Sequence, residues 1–389
     1  MENKERALAH VEKIEWIRPI EGADNIELIG VLGWVCIAKK GEFNVGDMAV
    51  YIEIDSKCPE TDERFAFLAN KKFKVKTMKL GKFKVISQGL ALPLSLFPEL
   101  QDRKIGNDVT EALKITYASE EDAARKTNKI DPNAKYKSMA KRRPKLFANP
   151  IVRRIRRYSI GRKIRFMLFG RKKDNPKKFP DWIVKTDETR IENAPFYLQS
   201  TEKWIKTEKC DGTSCTFAVD RLKNGKNKFD FIVCSRNVRQ ADREQTCYHE
   251  SNIYWELADK YDIEKILTQF ATENNYNRVV LQGEGVGSVQ GNPYKFTDNK
   301  LFVFNLIIDG IRLGTLEMAD FCKSHGLTSV PIIDTAYELP KTMEEMKLEA
   351  DGYSELNPKV KREGFVYRSI DGQQSFKNVS REYLLKHNG

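Results

Sequence analysis

Lys209-Cys210-Asp211-Gly212 sets a lysine two residues ahead of a carboxylate, at the end of an alternating stretch that begins at Trp204. Residues 204–209 read as a strand, Asp211-Gly212 as a hairpin turn pair, and 213–219 as the returning strand. One Lys-x-Asp-Gly in a lysine-rich chain fits a solvated hairpin as readily as a nucleophile. The residues that follow distinguish the two. Ser235-Arg236, Gly283-Glu284, Phe302-Val303-Phe304, Glu363-Gly364-x-Val366 and Lys377 come in that order, each within a predicted strand or at the end of one. Other site chemistries are missing. There is no Walker loop, no His-Glu-x-x-His, and no metal-spaced cluster among four histidines. Gly283-x-Gly285-x-Gly287 follows a strand, but 288–293 is a poor helix start, so a dinucleotide fingerprint fails its context.

This ordered series resembles the covalent nucleotidyltransferases: ATP-dependent DNA ligases, RNA ligases and capping enzymes. In those two other classes an OB domain follows the last lysine motif. Here only residues 378–389 follow Lys377, and an OB-like unit comes first. That arrangement, with Phe179-Pro180-Asp181-Trp182, Lys185-Thr186-Asp187-Glu188 and the ending 375–386, resembles the stand-alone RNA repair ligases that carry an N-terminal OB domain. The resemblance covers residues 5–115 and 179–389. It implies an ATP-dependent RNA ligase that joins 3′-OH to 5′-phosphate ends through a lysyl-AMP and an adenylylated 5′ end. A DNA ligase, a capping guanylyltransferase and a non-catalytic nucleic-acid-binding protein are the alternatives.

The resemblance assigns roles that chemistry makes sensible. A lysine attacking the α-phosphate must be neutral, so cationic or metal neighbours have to lower its pKa. Lys209 is the implied nucleophile, with Lys377 and a Mg²⁺ or Mn²⁺ ion as its positive neighbours. Asp211, Glu284 and Glu363 are the candidate metal carboxylates, directly or through water. Asp211 and Glu284 could instead hold the ribose or the pocket. Arg236 fits ribose or phosphate clamping or a surface ion pair, and Phe304 fits adenine stacking or core packing. Glu208 stands where related enzymes touch the purine, and Gly212 completes the nucleotide-binding set. Two departures stand out: Ser375 occupies the first lysine place of a common Lys-x-Lys ending, and Asn305 replaces an aspartate of the related phage group.

The elements that must position these residues fall into three parts. Residues 1–115 read as an all-β OB-fold domain with strands at 11–17, 26–31, 34–39, 48–54, 73–78 and 89–93. Residues 116–178 are a basic linker or insertion, with helical signals at 118–127 and 151–169. Residues 179–389 read as an α+β domain, with one helix across 249–274 and a closing hairpin at Asp371-Gly372, and the resemblance implies that this is a nucleotidyltransferase (ATP-grasp-like ligase) domain.

Charge is distributed to match. The chain of 389 residues has net charge +12, yet 135–178 alone holds 18 Lys and Arg against one acid, Asp174. A polyanion partner explains such a segment best, with a disordered arm or a membrane surface as rivals. Lys71 to Lys84 adds a basic, aromatic-bearing surface on the N-terminal unit. RNA, or a nicked RNA/DNA duplex, is the expected partner, and a monomer without an obligate protein partner is expected. With no apolar run of about 18 residues, no secretory signal and seven scattered cysteines, a cytoplasmic protein is expected.

Overall fold

The computed structural model describes residues 6–118, 177–222, 228–240 and 252–387. The helical expectation for 118–127 apart from Ala118, that for 151–169, and nearly all of the basic segment lie outside the described residues.

In the N-terminal unit, strands Ala9–Pro19, Ile26–Val31, Trp34–Lys39, Met48–Ile52 and Leu90–Pro93 form one antiparallel sheet. Trp34–Lys39 lies at one edge and Leu90–Pro93 at the other. The sheet curls until the Gln88 N–H donates to the Val35 carbonyl at 2.8 Å, which gives a partly open barrel. Ile14, Ile29, Trp34 and Tyr51 fill it. The expected strand at 73–78 does not form. A 3₁₀ helix, Glu63–Lys71, precedes it, and Lys72 and Phe73 both adopt left-handed backbone (φ 54° and 58°), which breaks the extended run.

The second half is built on two sheets. The larger orders its strands as Lys177–Lys178, Val238–Arg239, Phe229–Cys234, Thr213–Arg221, Arg278–Val286, Lys300–Ile308 and Ile311–Arg312. Alternation decides its two faces. Phe217, Val219, Val279 and Leu281 turn to one side and pack on Leu257, Ile263, Leu267 and Phe321 of three helices, Ile253–Lys260, Ile263–Glu273 and Thr315–Ser324. Ala218 and Val280 turn to the other side and meet Phe179, Ile183 and Ile232. The single helix expected across 249–274 is two, because Asp262 takes a left-handed conformation (φ 48°) between them.

The smaller sheet orders Thr189–Arg190, Ser375–Val379, Gly364–Ser369, Trp204–Glu208 and Ile332–Tyr337. Trp204, Tyr367 and Phe376 form its aromatic core, the last two stacked with centroids 5.0 Å apart. Gly364–Ser369 and Ser375–Val379 pair antiparallel across the expected Asp371-Gly372 turn.

One sequence expectation is overturned at the point that matters most. Residues 204–208 and 213–221 are not the arms of a hairpin. The first strand pairs with 364–369 and 332–337, the second with 229–234 and 278–286. Residues 209–212 therefore cross from one sheet to the other. Gly212 does not supply a turn, since its φ is not positive. It supplies closeness: a Cβ there would stand 2.4 Å from the Gly285 carbonyl oxygen and 2.8 Å from Val286 Cγ1.

The two halves share a core. Val379 and Leu384, near the C-terminus, pack with Trp34, Ile14 and Tyr51 of the barrel. The Gly33 N–H donates to the Glu192 carbonyl at 2.8 Å, and Arg190 Nη2 donates to Asp55 at 3.1 Å.

Candidate active site

The crossing segment 209–212 opens onto a cavity of about 550 Å³ between the two sheets. It is lined by Lys209, Asp211, Gly212, Arg236, Glu284, Phe304, Glu363 and Lys377, and by Glu208. All nine residues singled out from sequence thus reach one place, although they come from strands of different sheets.

Lys209 is fixed from both sides. Its N–H donates to the Gly364 carbonyl at 3.0 Å, which seats it on the small sheet, and its Nζ lies 2.7 Å from Glu363 Oε1. Burial works to lower its pKa, but Glu363, Glu284 and Asp211 outweigh burial and hold the ammonium above its usual range. Glu284 is pushed up to about 8: burial is the main cause and Glu363 and Asp211 add repulsion, while Lys209 pulls the other way. Asp211 is anchored at its backbone, where its N–H donates to the Tyr294 hydroxyl at 2.7 Å, and its carboxylate accepts from Tyr383 on the C-terminal helix Arg381–His387.

A second group of charges lines the same cavity. Lys377 Nζ lies 2.6 Å from Asp187 Oδ1, and Arg236 Nη2 lies 2.9 Å from Asp187 Oδ2. Burial lowers the pKa of Lys377 to about 8, helped by Arg190, Arg6 and Lys209 and opposed by Asp187. Burial would raise Asp187, but Lys377, Arg236 and Arg6 hold it well below the usual carboxylate range. Arg190, paired in register with Lys377, keeps Nε and Nη1 buried with no protein partner. With Lys377 and Arg236, Arg190 makes three cations among the residues lining the cavity, a charge that suits an anionic ligand.

Phe304 reaches the cavity through a β-bulge. Gln282 pairs with Asn305 and Gly283 with Val303, so Phe304 is the extra residue between them. Its carbonyl, freed from the ladder, accepts from Arg368 Nη1. Asn305 is not in the cavity; it donates to Gln282 Oε1 at 2.8 Å, and Gln282 in turn donates to the Val184 carbonyl at 2.8 Å. Ser375, in the place of a lysine, donates to Glu188, which also takes Arg368 and Arg312. Glu208 lines the cavity too. Its carboxylate is buried and both oxygens are used, one by the Ser354 hydroxyl and one by the Glu355 N–H at 2.7 Å.

The carboxylates around Lys209 suit a hard divalent cation in type, being oxygen donors. They are not a ready-made cage: among the described residues no group of three His, Cys, Asp or Glu is disposed to hold a metal ion.

Sequence reading missed several cavity residues. Asp187 was visible within Lys185–Glu188 but had no role. Arg6, Asp55 and Tyr117 line the cavity from the N-terminal unit, with Arg236 over the Tyr117 ring at 5.7 Å. Nothing local marks them, because the contact exists only once the barrel docks.

The fold and site together define a nucleotidyltransferase-type architecture: a lysine crossing between two sheets, carboxylates around it and cations on the cavity wall. Residues 202–386 match the RNA ligase family and residues 8–94 match an OB-fold domain. Among solved structures, Naegleria gruberi RNA ligase with PPi is 30% identical, with a TM-score of 0.73 over 98% of this chain and 99% of that one. A variant of the same enzyme with ATP and Mn gives 30% identity and a TM-score of 0.73 over 99% and 100% of the two chains, and a variant with AMP and Mn gives 30% and 0.74 over 98% and 99%. A search of curated proteins finds no match. The chain belongs to the RNA ligase family.

Proposed function

We propose that this protein is an ATP-dependent RNA ligase with Lys209 as the nucleophile, and that it joins a 3′-OH to a 5′-phosphate at breaks in duplex RNA or RNA/DNA. The observation that carries this reading is the cavity itself. Lys209 faces carboxylates, while Lys377, Arg236 and Arg190 give the same cavity the cations a triphosphate needs.

Lys209 attacks the α-phosphorus through Nζ once its proton is gone. The proteinaceous environment alone holds that proton, since three carboxylates outweigh burial. Asp211, Glu284 and Glu363 are the residues that would hold a divalent cation, which when bound would supply positive charge to offset them and the phosphate oxygens. Lys377 and Arg236 stabilise the negative charge that builds on the leaving pyrophosphate. Phe304, pushed into the cavity by its bulge, offers a ring face for adenine. AMP then passes to the 5′-phosphate, and attack by the 3′-OH releases it.

The N-terminal barrel and the basic segment would hold the nucleic acid by its phosphates, so affinity should fall with salt. No helix among the described residues is long and apolar enough to cross a membrane; a cytoplasmic monomer is the setting we infer. The test is sealing of a nicked duplex with ribose or deoxyribose at the 3′ side. Ligation that needs ATP, a 5′-phosphate and a 3′ ribose supports the reading; indifference to the ribose removes the RNA assignment.

A further inference from the structure

Asp187 stands where the proposed chemistry brings the negative charge of ATP. Each of its oxygens takes one cation, Lys377 Nζ at 2.6 Å and Arg236 Nη2 at 2.9 Å. It lines the cavity beside both, and its side chain is 27% exposed, so it forms part of the open wall and is not packed away behind the cations it pairs. Lys377, whose side chain is only 10% exposed, would be costly to leave with no counter-charge, whereas Arg236 is 44% exposed; an anion that bridges the two removes the cost at Lys377 only until a stronger polyanion arrives. Pyrophosphate offers more charge and more acceptor oxygens than one carboxylate.

We propose that Asp187 is a built-in competitor for the β- and γ-phosphates of ATP: it pairs Lys377 and Arg236 in the nucleotide-free protein, gives them up when ATP enters, and takes them back as pyrophosphate leaves. This rests on the ATP reading above and names the residue that governs release of the leaving group. In the step concerned, Lys209 Nζ forms the bond to the α-phosphorus, and the bond from that phosphorus to its bridging oxygen breaks. The electron pair departs with pyrophosphate, and the lysine proton goes to solvent. Asp187 touches neither bond. It is a positioning residue, and its effect is an exchange of ion pairs that leaves no cation stranded at any stage.

Asp187→Asn keeps the shape and removes the charge. Binding of pyrophosphate with Mg²⁺ to the full-length, nucleotide-free protein, followed by calorimetry, should be about five- to tenfold tighter in this variant than in wild type. The ATP concentration for half-maximal lysine labelling should fall in the same direction, and Asp187→Glu, which keeps the anion, should return both values toward wild type. If Asp187→Asn does not fold, Asp187→Ser serves the same comparison. Unchanged or weaker pyrophosphate binding in a folded variant overturns the proposal, because the carboxylate would then only anchor the two cations. Wild-type protein that takes no label from ATP overturns the ATP reading and this proposal with it; normal wild-type labelling beside unaltered pyrophosphate binding confines the failure to Asp187.

Discussion

Lys209 Nζ and Glu363 Oε1 lie 2.7 Å apart, yet they belong to different elements: the lysine to the segment that leaves the small sheet, the glutamate to the residue before strand Gly364–Ser369. The backbone bond from Lys209 N–H to the Gly364 carbonyl ties the same two segments together. The nucleophile and its carboxylate are thus positioned by one strand pairing, and disturbing either disturbs both. Glu363→Gln should keep the packing and lower the rate of lysyl-AMP formation by about two orders of magnitude. Single-turnover labelling, with a thermal melt as control, checks this.

Gly212 is where the crossing segment touches the larger sheet. Gly212→Ala puts a methyl 2.4 Å from the Gly285 carbonyl, which is backbone and cannot swing away. The expected cost is about 1–3 kcal/mol of stability, together with a loss of labelling larger than the stability change explains. Chemical denaturation and labelling of the same preparation separate the two.

Glu284 makes stability depend on pH. Its folded pKa, near 8, exceeds its ordinary value of 4.5, so the folded state holds this proton more tightly than the unfolded one. Its contribution is fully present below the unfolded pKa and is lost as pH rises through about 8. The melting temperature of nucleotide-free protein should therefore decline between about pH 5 and pH 8.5 by more in wild type than in Glu284→Gln. Parallel curves for the two proteins would remove Glu284 as the cause.

Tyr383 gives the C-terminal helix a part in the site, since its hydroxyl donates to Asp211. Tyr383→Phe keeps the ring in the core it shares with the barrel and removes only that bond. Losing a hydrogen bond to a charged group should slow adenylylation by roughly tenfold with little change in melting temperature. Equal losses in the two would make the residue a packing element only.

Strands were legible where alternation and turn residues gave local signals: 26–31 and 34–39 of the barrel match the structure residue for residue, and Gly283-Glu284 and Phe302-Val303-Phe304 fall within strands 278–286 and 300–308. The hairpin at Asp211-Gly212 was misread for a physical reason. A glycine after an aspartate signals a turn, and the sequence does not show that this glycine is there to let two backbones meet. Strand Ile332–Tyr337 was missed because it is an edge strand with mixed exposure, although it flanks the lysine strand. Helix Met343–Ala350 was missed although Thr342 and Glu345 form a capping box that could have marked its start. All nine site residues converge, while Arg6, Asp55, Tyr117 and Tyr383 depend on docking between distant parts of the chain, for which one sequence holds no local pattern.

The central claim rests on Lys209 and is tested most directly by covalent labelling. Incubated with α-phosphate-labelled ATP and Mg²⁺ or Mn²⁺, the wild-type protein should take up label that maps to Lys209, and Lys209→Ala should take up none. Label that persists in Lys209→Ala, or that maps to another lysine in the wild type, would contradict the account.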